Sequence, residues 1–521
     1  MTDNLLGLLV VIPLATAVAS VALIRHRIPQ RVLGLVSFGS MLVLALGWLS
    51  EIRDGDVLVS QMGGWPAPYG ITLVFDSLSG LLLCAGLVVA LGCYVHSFSM
   101  LDPVTERRYF HPLFQLLIVG VNQCFLTGDL FNLFVGFEIM LMASYGLLVI
   151  GGSRRQLGQA YKYLILNLIA STVFVVCAGL VYGMFGTLNL ADLARIVDAR
   201  VASGEGLPPG FVGVSVLLLF VFGAKGAFFP LWFWLPDTYH TCPVPVAALF
   251  SGLLTKVGVY AVARTFPLIF AVGEARDVVT PLLLVSAAVT MLLGVLGAVS
   301  QNNVRRILAV HVISQVGYMV FGLALMTTAG LAGALYYMVQ HMVVKSSLFL
   351  CCGVMERHAG SDDLDRLGGL LKRDRFLGVA FFVAAMSLVG LPPLSGFFGK
   401  LVLVREGWAD HWWLSVVALL TGLLTLVSML KIWTKGFWLP PAEQAPPAPG
   451  RDGDTGSGDL RGAYAGIGFL VVVAVLIGLA AEPIYEIAFH AGEQLTDPSA
   501  YIRAVDPHGL IAAGGATGGG G

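Results

Sequence analysis

The chain is a succession of apolar runs, each about twenty residues long, separated by short polar stretches. A helix of that length crosses a bilayer with every backbone N–H and C=O satisfied internally. The pattern predicts an all-α polytopic membrane protein of about fourteen transmembrane helices. Their approximate limits are 5–24, 32–50, 77–97, 109–127, 129–150, 159–186, 211–235, 244–265, 278–300, 304–327, 329–355, 377–404, 411–436 and 463–481. No basic stretch precedes the first run, so it reads as a retained span rather than a cleaved signal. Leu188, Leu190, Leu193, Ile196 and Val197 alternate with polar residues between Thr187 and Arg200, as in a helix lying on the membrane. Ala442 to Asp459, rich in Pro, Gly and Asp, predicts a flexible loop. The Gly- and Ala-rich stretch after Ile511 predicts a disordered end.

Composition agrees with a bilayer environment. Hydrophobic residues make up 57% of the chain and charged residues 12%, against roughly 25% charged in a soluble domain. The net charge of −1 gives no basic footprint for nucleic acid. The seven cysteines form no CxxC pair, which argues against a disulfide framework or an iron–sulfur site. Placing the N-terminus outside the cytoplasm puts eighteen loop cations on the inner side and seven, Arg264 among them, on the outer side. Positive residues concentrate in cytoplasmic loops, so both termini are expected on the non-cytoplasmic side of the cell membrane.

The remaining basic residues are Lys225, Lys256, Lys345, Lys400 and Lys431, all lysines within predicted spans. A cation at the bilayer centre costs at least ~2.5–3.5 kcal/mol. Unlike arginine, a buried lysine can give up its proton. Such residues point to ion movement, with protons the natural cargo. Lys431 lies near the inner end of its span, where snorkelling to the interface is the simpler reading. Glu138 sits midway along its span, and Lys225 at similar depth is its natural partner. Asp76 and Asp129 stand at span starts, where helix capping competes with a functional role. His341 and Lys345 are four apart and share one helical face. His311 lies near Ser314 and Gln315. Histidine titrates near neutrality, and intramembrane chains of such groups relay protons.

Two spans carry internal helix breakers, Pro230 and Pro236 in one and Pro392 and Pro393 in the other. They are the seventh and twelfth predicted spans. Broken helices at matching places predict two inverted five-helix repeats, each with a lysine beside its break. The expected organisation is an N-terminal three-helix segment (1–108), a first repeat (109–265) and a second repeat (278–436). A flexible loop (437–462), a last span (463–484) and a C-terminal tail (485–521) follow.

The blocks GGWPAPYGITLVFDSLSGLLL, GDLFNLFVGFEIMLMASYGLL, KGAFFPLWFWLPDTYHTCPVPVAALFSGLLTKVGVYA, RRILAVHVISQVGYM and GLPPLSGFFGK resemble the antiporter-like subunits of respiratory complex I, membrane-bound hydrogenases and multisubunit Na⁺/H⁺ antiporters. The first two are most similar to the D subunits of Mrp/Mnh-type antiporters. The resemblance implies that Glu138 and Lys225 are the paired charges of a first half-channel and that Lys256 is a central relay. It further implies that His341 and Lys345 lie on the connecting axis and that Lys400 ends the second half-channel. It implies a proton-translocating subunit that works with other membrane subunits in a monovalent cation (Na⁺ or K⁺)/proton antiporter, without a cofactor and without being an enzyme itself. The alternative is a pumping subunit of a complex I or hydrogenase assembly. The chain shows no Gly-rich dinucleotide loop, cysteine cluster or HExxH pair to support redox chemistry of its own.

Overall fold

The computed structural model describes residues 5–52, 55–440 and 459–506. The expected flexible loop and disordered end fall almost wholly outside the described residues. The N-terminal part holds α1 (Leu8–Ala22) and α2 (Arg27–Glu51). A hairpin of β1 (Leu58–Gln61) and β2 (Thr72–Phe75) follows, and then α3 (Ser77–Met100) and the short α4 (Pro103–Arg107). The hairpin is an addition to the all-helical expectation. Its strands are only four residues long, too short to stand out from the apolar runs around them.

The chain continues through α5 (Phe110–Leu126), α6 (Leu130–Val149), α7 (Arg154–Phe185), α8 (Leu190–Ser203), α9 (Phe211–Gly226), α10 (Leu235–Thr241) and α11 (Val244–Thr265). Next come α12 (Glu274–Ser300), α13 (Val304–Leu325), α14 (Thr328–Ala359), α15 (Leu370–Arg373), α16 (Arg375–Val389), α17 (Ser395–Asp410) and α18 (Trp412–Ile432). The last elements are α19 (Arg461–Leu479), α20 (Ala481–Thr496) and α21 (Ser499–Val505). Ten described helices are long and apolar enough to span a membrane, and four shorter apolar helices accompany them.

Local chemistry sets the helix ends. Asp76 and Ser79 form a capping box at the start of α3, as do Ser153 and Gln156 at α7. Asp129, Asn189, Asn303, Thr327 and Asp374 cap α6, α8, α13, α14 and α16 with their side chains. Glycines in left-handed geometry close α7, α14 and α16, at Gly186, Gly360 and Gly390.

The most buried helices form the centre of the bundle. The apolar windows of α11, α13 and α14 are wholly enclosed by protein, whereas α2, α7, α18 and α19 expose much of theirs. Enclosed helices carry polar side chains that a lipid-facing helix could not, and the candidate residues concentrate there. Two predicted spans are discontinuous. The run 211–235 is α9 followed by an interruption and the start of α10, and 377–404 is α16 and α17 separated at Gly390–Leu394. Pro230 stands in the first interruption and Pro392 and Pro393 in the second, whereas Pro236 lies in the first turn of α10. Of the tail expected after the last span, residues up to Val505 fold into α20 and α21.

One loop assignment is corrected. Arg264 is not an outer-loop cation. It lies in the last turn of α11, 3% exposed, with its guanidinium on Asp76 and one nitrogen at 2.7 Å. Its hydrocarbon surroundings do not distinguish it from a loop residue in sequence, because its span ends within two residues of it. At the other end of the molecule Glu106, only 2% exposed, accepts from Arg31 at 2.6 and 2.8 Å and from Arg27 at 3.3 Å, and pairs with His111 at 3.0 Å. His111 in turn meets the Tyr94 hydroxyl at 2.7 Å, so one carboxylate ties α2, α3, α4 and α5 together.

Candidate functional site

Lys225 closes α9 just before the first interruption and is 3% exposed. Its ammonium donates to Ser171 Oγ at 3.1 Å, and the Ser171 hydroxyl donates to Glu138 Oε1. The expected pair is therefore bridged by a hydroxyl from α7. Lys225 also lies 4.9 Å from the centre of the Phe137 ring, which offers its negative face to the cation. Nothing in the sequence singles out Ser171, because one serine in an apolar helix is unremarkable until its neighbours are known.

Lys256 lies in the fully buried part of α11 and donates to the Ser251 carbonyl. Gly258, two residues on, allows α11 to touch α9. A Cβ there would stand 2.3 Å from Gly226 N and 2.7 Å from Lys225 C. The two lysine-bearing helices thus cross beside Lys225 without room for a side chain. A second close approach joins α11 to α14, where a Cβ on Gly252 would meet Ser346 Oγ at 2.5 Å. Ser346 donates to the Ala248 carbonyl at 2.9 Å.

On α14, Gln340, His341 and Lys345 are completely buried. The His341 ring nitrogens and the Lys345 ammonium make no hydrogen bond to another described residue, and buried polar groups of this kind call for a partner or water. His341 is within electrostatic reach of Lys256, Lys345, Lys400 and His311, and Lys345 of Lys256.

Lys400, in α17, turns back across the second interruption. Its ammonium donates to the carbonyls of Leu388 and Val389, both at 2.9 Å, which α16 leaves free as it ends. The rings of Tyr318 and Tyr337 flank it, with centres 4.7 and 5.9 Å away. Tyr337 donates to Gln315 Oε1, and Gln315 Nε2 donates to Ser314 Oγ at 2.8 Å. His311 joins through Nδ1 to Ser314 Oγ at 3.2 Å and through Nε2 to the Ser428 hydroxyl. This chain of polar groups runs from α18 to the tyrosines beside Lys400. The sequence does not mark Tyr337, Tyr318 or Ser428, because a tyrosine or serine at a core position is usually just a packed side chain with a local hydrogen bond.

The structure therefore brings Lys256, His341, Lys345, His311 and Lys400 into one electrostatic neighbourhood, and Glu138 and Lys225 form a separate pair on the far side of the α9–α11 crossing at Gly258. Asp76 and Asp129 stand apart from it. Asp76 accepts from Arg264 and from the Ser79 amide at 2.9 Å, and Asp129 from the Asn132 amide at 2.7 Å. Lys431 donates to the carbonyls of Val299 and Gln301 at 3.3 and 2.6 Å, at the end of α12. A cation there complements the negative end of the helix dipole.

Enclosed helices, two interrupted spans and buried lysines beside the interruptions together define an ion-translocating membrane subunit. The family profile described as NADH:quinone oxidoreductase/Mrp antiporter, TM, matches residues 127–425. The D subunit of the Na(+)/H(+) antiporter of Alkalihalophilus pseudofirmus is 41% identical over 96% of this chain and 99% of its own. That of Bacillus subtilis is 37% identical with the same coverage. A chain of the Mrp complex from Dietzia sp. superposes with a TM-score of 0.86 at 33% identity, covering 97% of this chain and 99% of that one. A chain of the membrane-bound sulfane sulfur reductase, an archaeal respiratory complex, gives 0.85 at 25% identity, covering 96% and 99%. The chain belongs to the NADH:quinone oxidoreductase/Mrp antiporter family, on the branch of the antiporter D subunits.

Proposed function

We propose that this chain conducts protons within a multisubunit monovalent cation/proton antiporter of the cell membrane, in company with other membrane subunits. The path runs from Glu138 and Lys225 through Lys256, His341 and Lys345 to Lys400, with His311 beside the last step. The observation that carries this reading is a set of fully enclosed lysines and histidines within mutual electrostatic reach. Each can exchange a proton, and each would be costly to keep for packing alone. The Glu138–Ser171–Lys225 bridge is the element that opens or closes. With the bridge made, the carboxylate favours a charged Lys225. With it broken, the Lys225 proton is released toward Lys256.

The repeats at 109–265 and 278–436 are part of the same reading. Asp129 bridges to Asn189, and Asn303 bridges to Asp363, at one constant interval along the chain. The flanking backbone bonds repeat in the same register, Leu130 N–H to Leu188 O and Leu190 N–H to Gly128 O in one half, Val304 N–H to Asp362 O and Leu364 N–H to Asn302 O in the other. In each half, the start of the second helix is pinned to the segment after the third. Both termini outside the cytoplasm belongs to the same reading and is supported by the distribution of loop cations.

The test is cation-driven proton movement in vesicles holding the complete complex. Glu138→Ala and Lys225→Ala are expected to abolish exchange with the complex still assembled. Full activity in both would remove the proposed path.

A further inference from the structure

After Lys225 the chain leaves helical geometry. Ala227 takes a left-handed conformation (φ 59°), and α10 begins only at Leu235. Backbone groups freed in such an interruption must find partners elsewhere. Those of Phe229 find them on a single helix of the other half. Its N–H donates to Thr290 Oγ1 at 2.9 Å, and its carbonyl accepts from the Ser286 hydroxyl at 3.4 Å. Ser286 and Thr290 are four apart on α12 and share one face. Thr290 is completely buried.

One turn further along the same helix, α12 presses on the backbone of α13. A Cβ on Gly294 would stand 2.5 Å from Ser314 N and 2.7 Å from Ser314 Cα. Ser314 carries the hydroxyl between His311 and Gln315. Along one stripe, α12 therefore grips the interruption after Lys225 and abuts the backbone beneath His311. The second interruption is held differently, by its own segment. Ser387 and Ser395 join hydroxyls across it at 2.8 Å, and Lys400 binds its free carbonyls. Among the described residues, the first interruption alone is hydrogen-bonded to a helix of the opposite half.

We infer that Thr290 is a positioning residue that anchors the interruption beside Lys225 to α12, so that movement of Lys225 is passed to the His311–Ser314 backbone. The inference rests on the proposed path through Lys225.

The experiment uses the complete complex in vesicles and compares Thr290→Val, Thr290→Ser and Lys225→Ala. Valine keeps the shape of threonine and removes the acceptor. Thr290→Val is expected to lower the maximal exchange rate at least fivefold, with the half-saturating cation concentration and the amount of assembled complex unchanged. Thr290→Ser, which keeps the hydroxyl, is expected to recover at least half of the wild-type rate. Should Thr290→Val fail to assemble, Thr290→Ala carries the same expectation with less bulk. Wild-type exchange in Thr290→Val beside an inactive Lys225→Ala overturns the anchor and leaves the path standing. Equal loss in the valine and serine variants overturns it too, since shape rather than the acceptor is then responsible. Wild-type exchange in Lys225→Ala removes the path and the inference with it.

Discussion

Lys400 reaches back across the break between α16 and α17 to donate to the Val389 carbonyl at 2.9 Å. With the Leu388 carbonyl also at 2.9 Å, it takes up two of the acceptors that the helix end leaves free. In the proposed path the same ammonium both repairs the discontinuity and carries a transferable proton. The neutral amine would keep two N–H donors for the two carbonyls, so loss of the proton weakens the hold by removing the charge that strengthens both bonds.

This double role separates charge from proton transfer. Lys400→Arg keeps a permanent cation and donors for the two carbonyls but cannot release its proton. Lys400→Met removes both. The complex is expected to assemble with Lys400→Arg, yet both variants should lose exchange by about tenfold or more, as about 1.4 kcal/mol or more of barrier would produce. Vesicle exchange with quantified complex reads the outcome. Near-wild-type exchange in Lys400→Arg would show that the residue serves only to hold the break.

Ser171 links Glu138 and Lys225. Removing a buried hydroxyl that both accepts and donates costs about 1–3 kcal/mol. Ser171→Ala is expected to slow exchange by about tenfold, the equivalent of about 1.4 kcal/mol, whereas Ser171→Thr retains most of it. Initial rates at saturating cation compare the two, and an alanine variant as fast as wild type would leave the bridge without a role.

The Asp76–Arg264 pair concerns stability. Removing one member of a buried ion pair strands the other, at about 3–5 kcal/mol. Arg264→Met is expected to lower the thermal midpoint of the purified complex. Combining it with Asp76→Asn, which keeps a capping oxygen for α3, should restore part of the loss. A double variant no more stable than Arg264→Met would argue that the pair is not the cause.

Glu106 gives the pH dependence of the N-terminal segment. Burial pushes its carboxyl up, but hydrogen bonds from His111 and Arg31 and the Arg31 charge outweigh burial and hold it at about 2. A carboxyl depressed on folding contributes stability above its unfolded value of about 4.3, and the contribution is lost as pH falls toward the folded value. The contribution is therefore present at neutral pH and lost as pH falls below about 4. The gap in thermal midpoint between wild type and Glu106→Gln should narrow as pH is lowered from about 6 toward about 3. A gap that stays the same over that descent would contradict the role of the carboxylate.

Much of the site was legible because the membrane makes charge expensive. Lys225, Lys256, Lys345 and Lys400 stand out in apolar runs, and each lies buried in the bundle. The helix interruptions were legible from Pro230, Pro392 and Pro393, since proline cannot continue a helix ladder. Three features stayed hidden for physical reasons. Arg264 sits at a span end, where apolar flanks look the same whether the residue is buried or exposed. Ser171, Thr290 and Ser428 are small hydroxyl residues that acquire a role only from what the fold sets opposite them. The β1–β2 hairpin is too short for its alternation to show beside the long apolar runs.

In the proposed path four buried lysines carry the proton and Lys431 does not. This is tested most directly by proton release during imposed cation gradients, in vesicles holding the intact complex, for Lys225→Ala, Lys256→Ala, Lys345→Ala, Lys400→Ala and Lys431→Ala in turn. The first four should fall by at least about tenfold, the effect of about 1.4 kcal/mol, with the complex assembled, while Lys431→Ala keeps most of its activity. Wild-type proton release in any of the first four, or a loss in Lys431→Ala equal to theirs, would contradict the path.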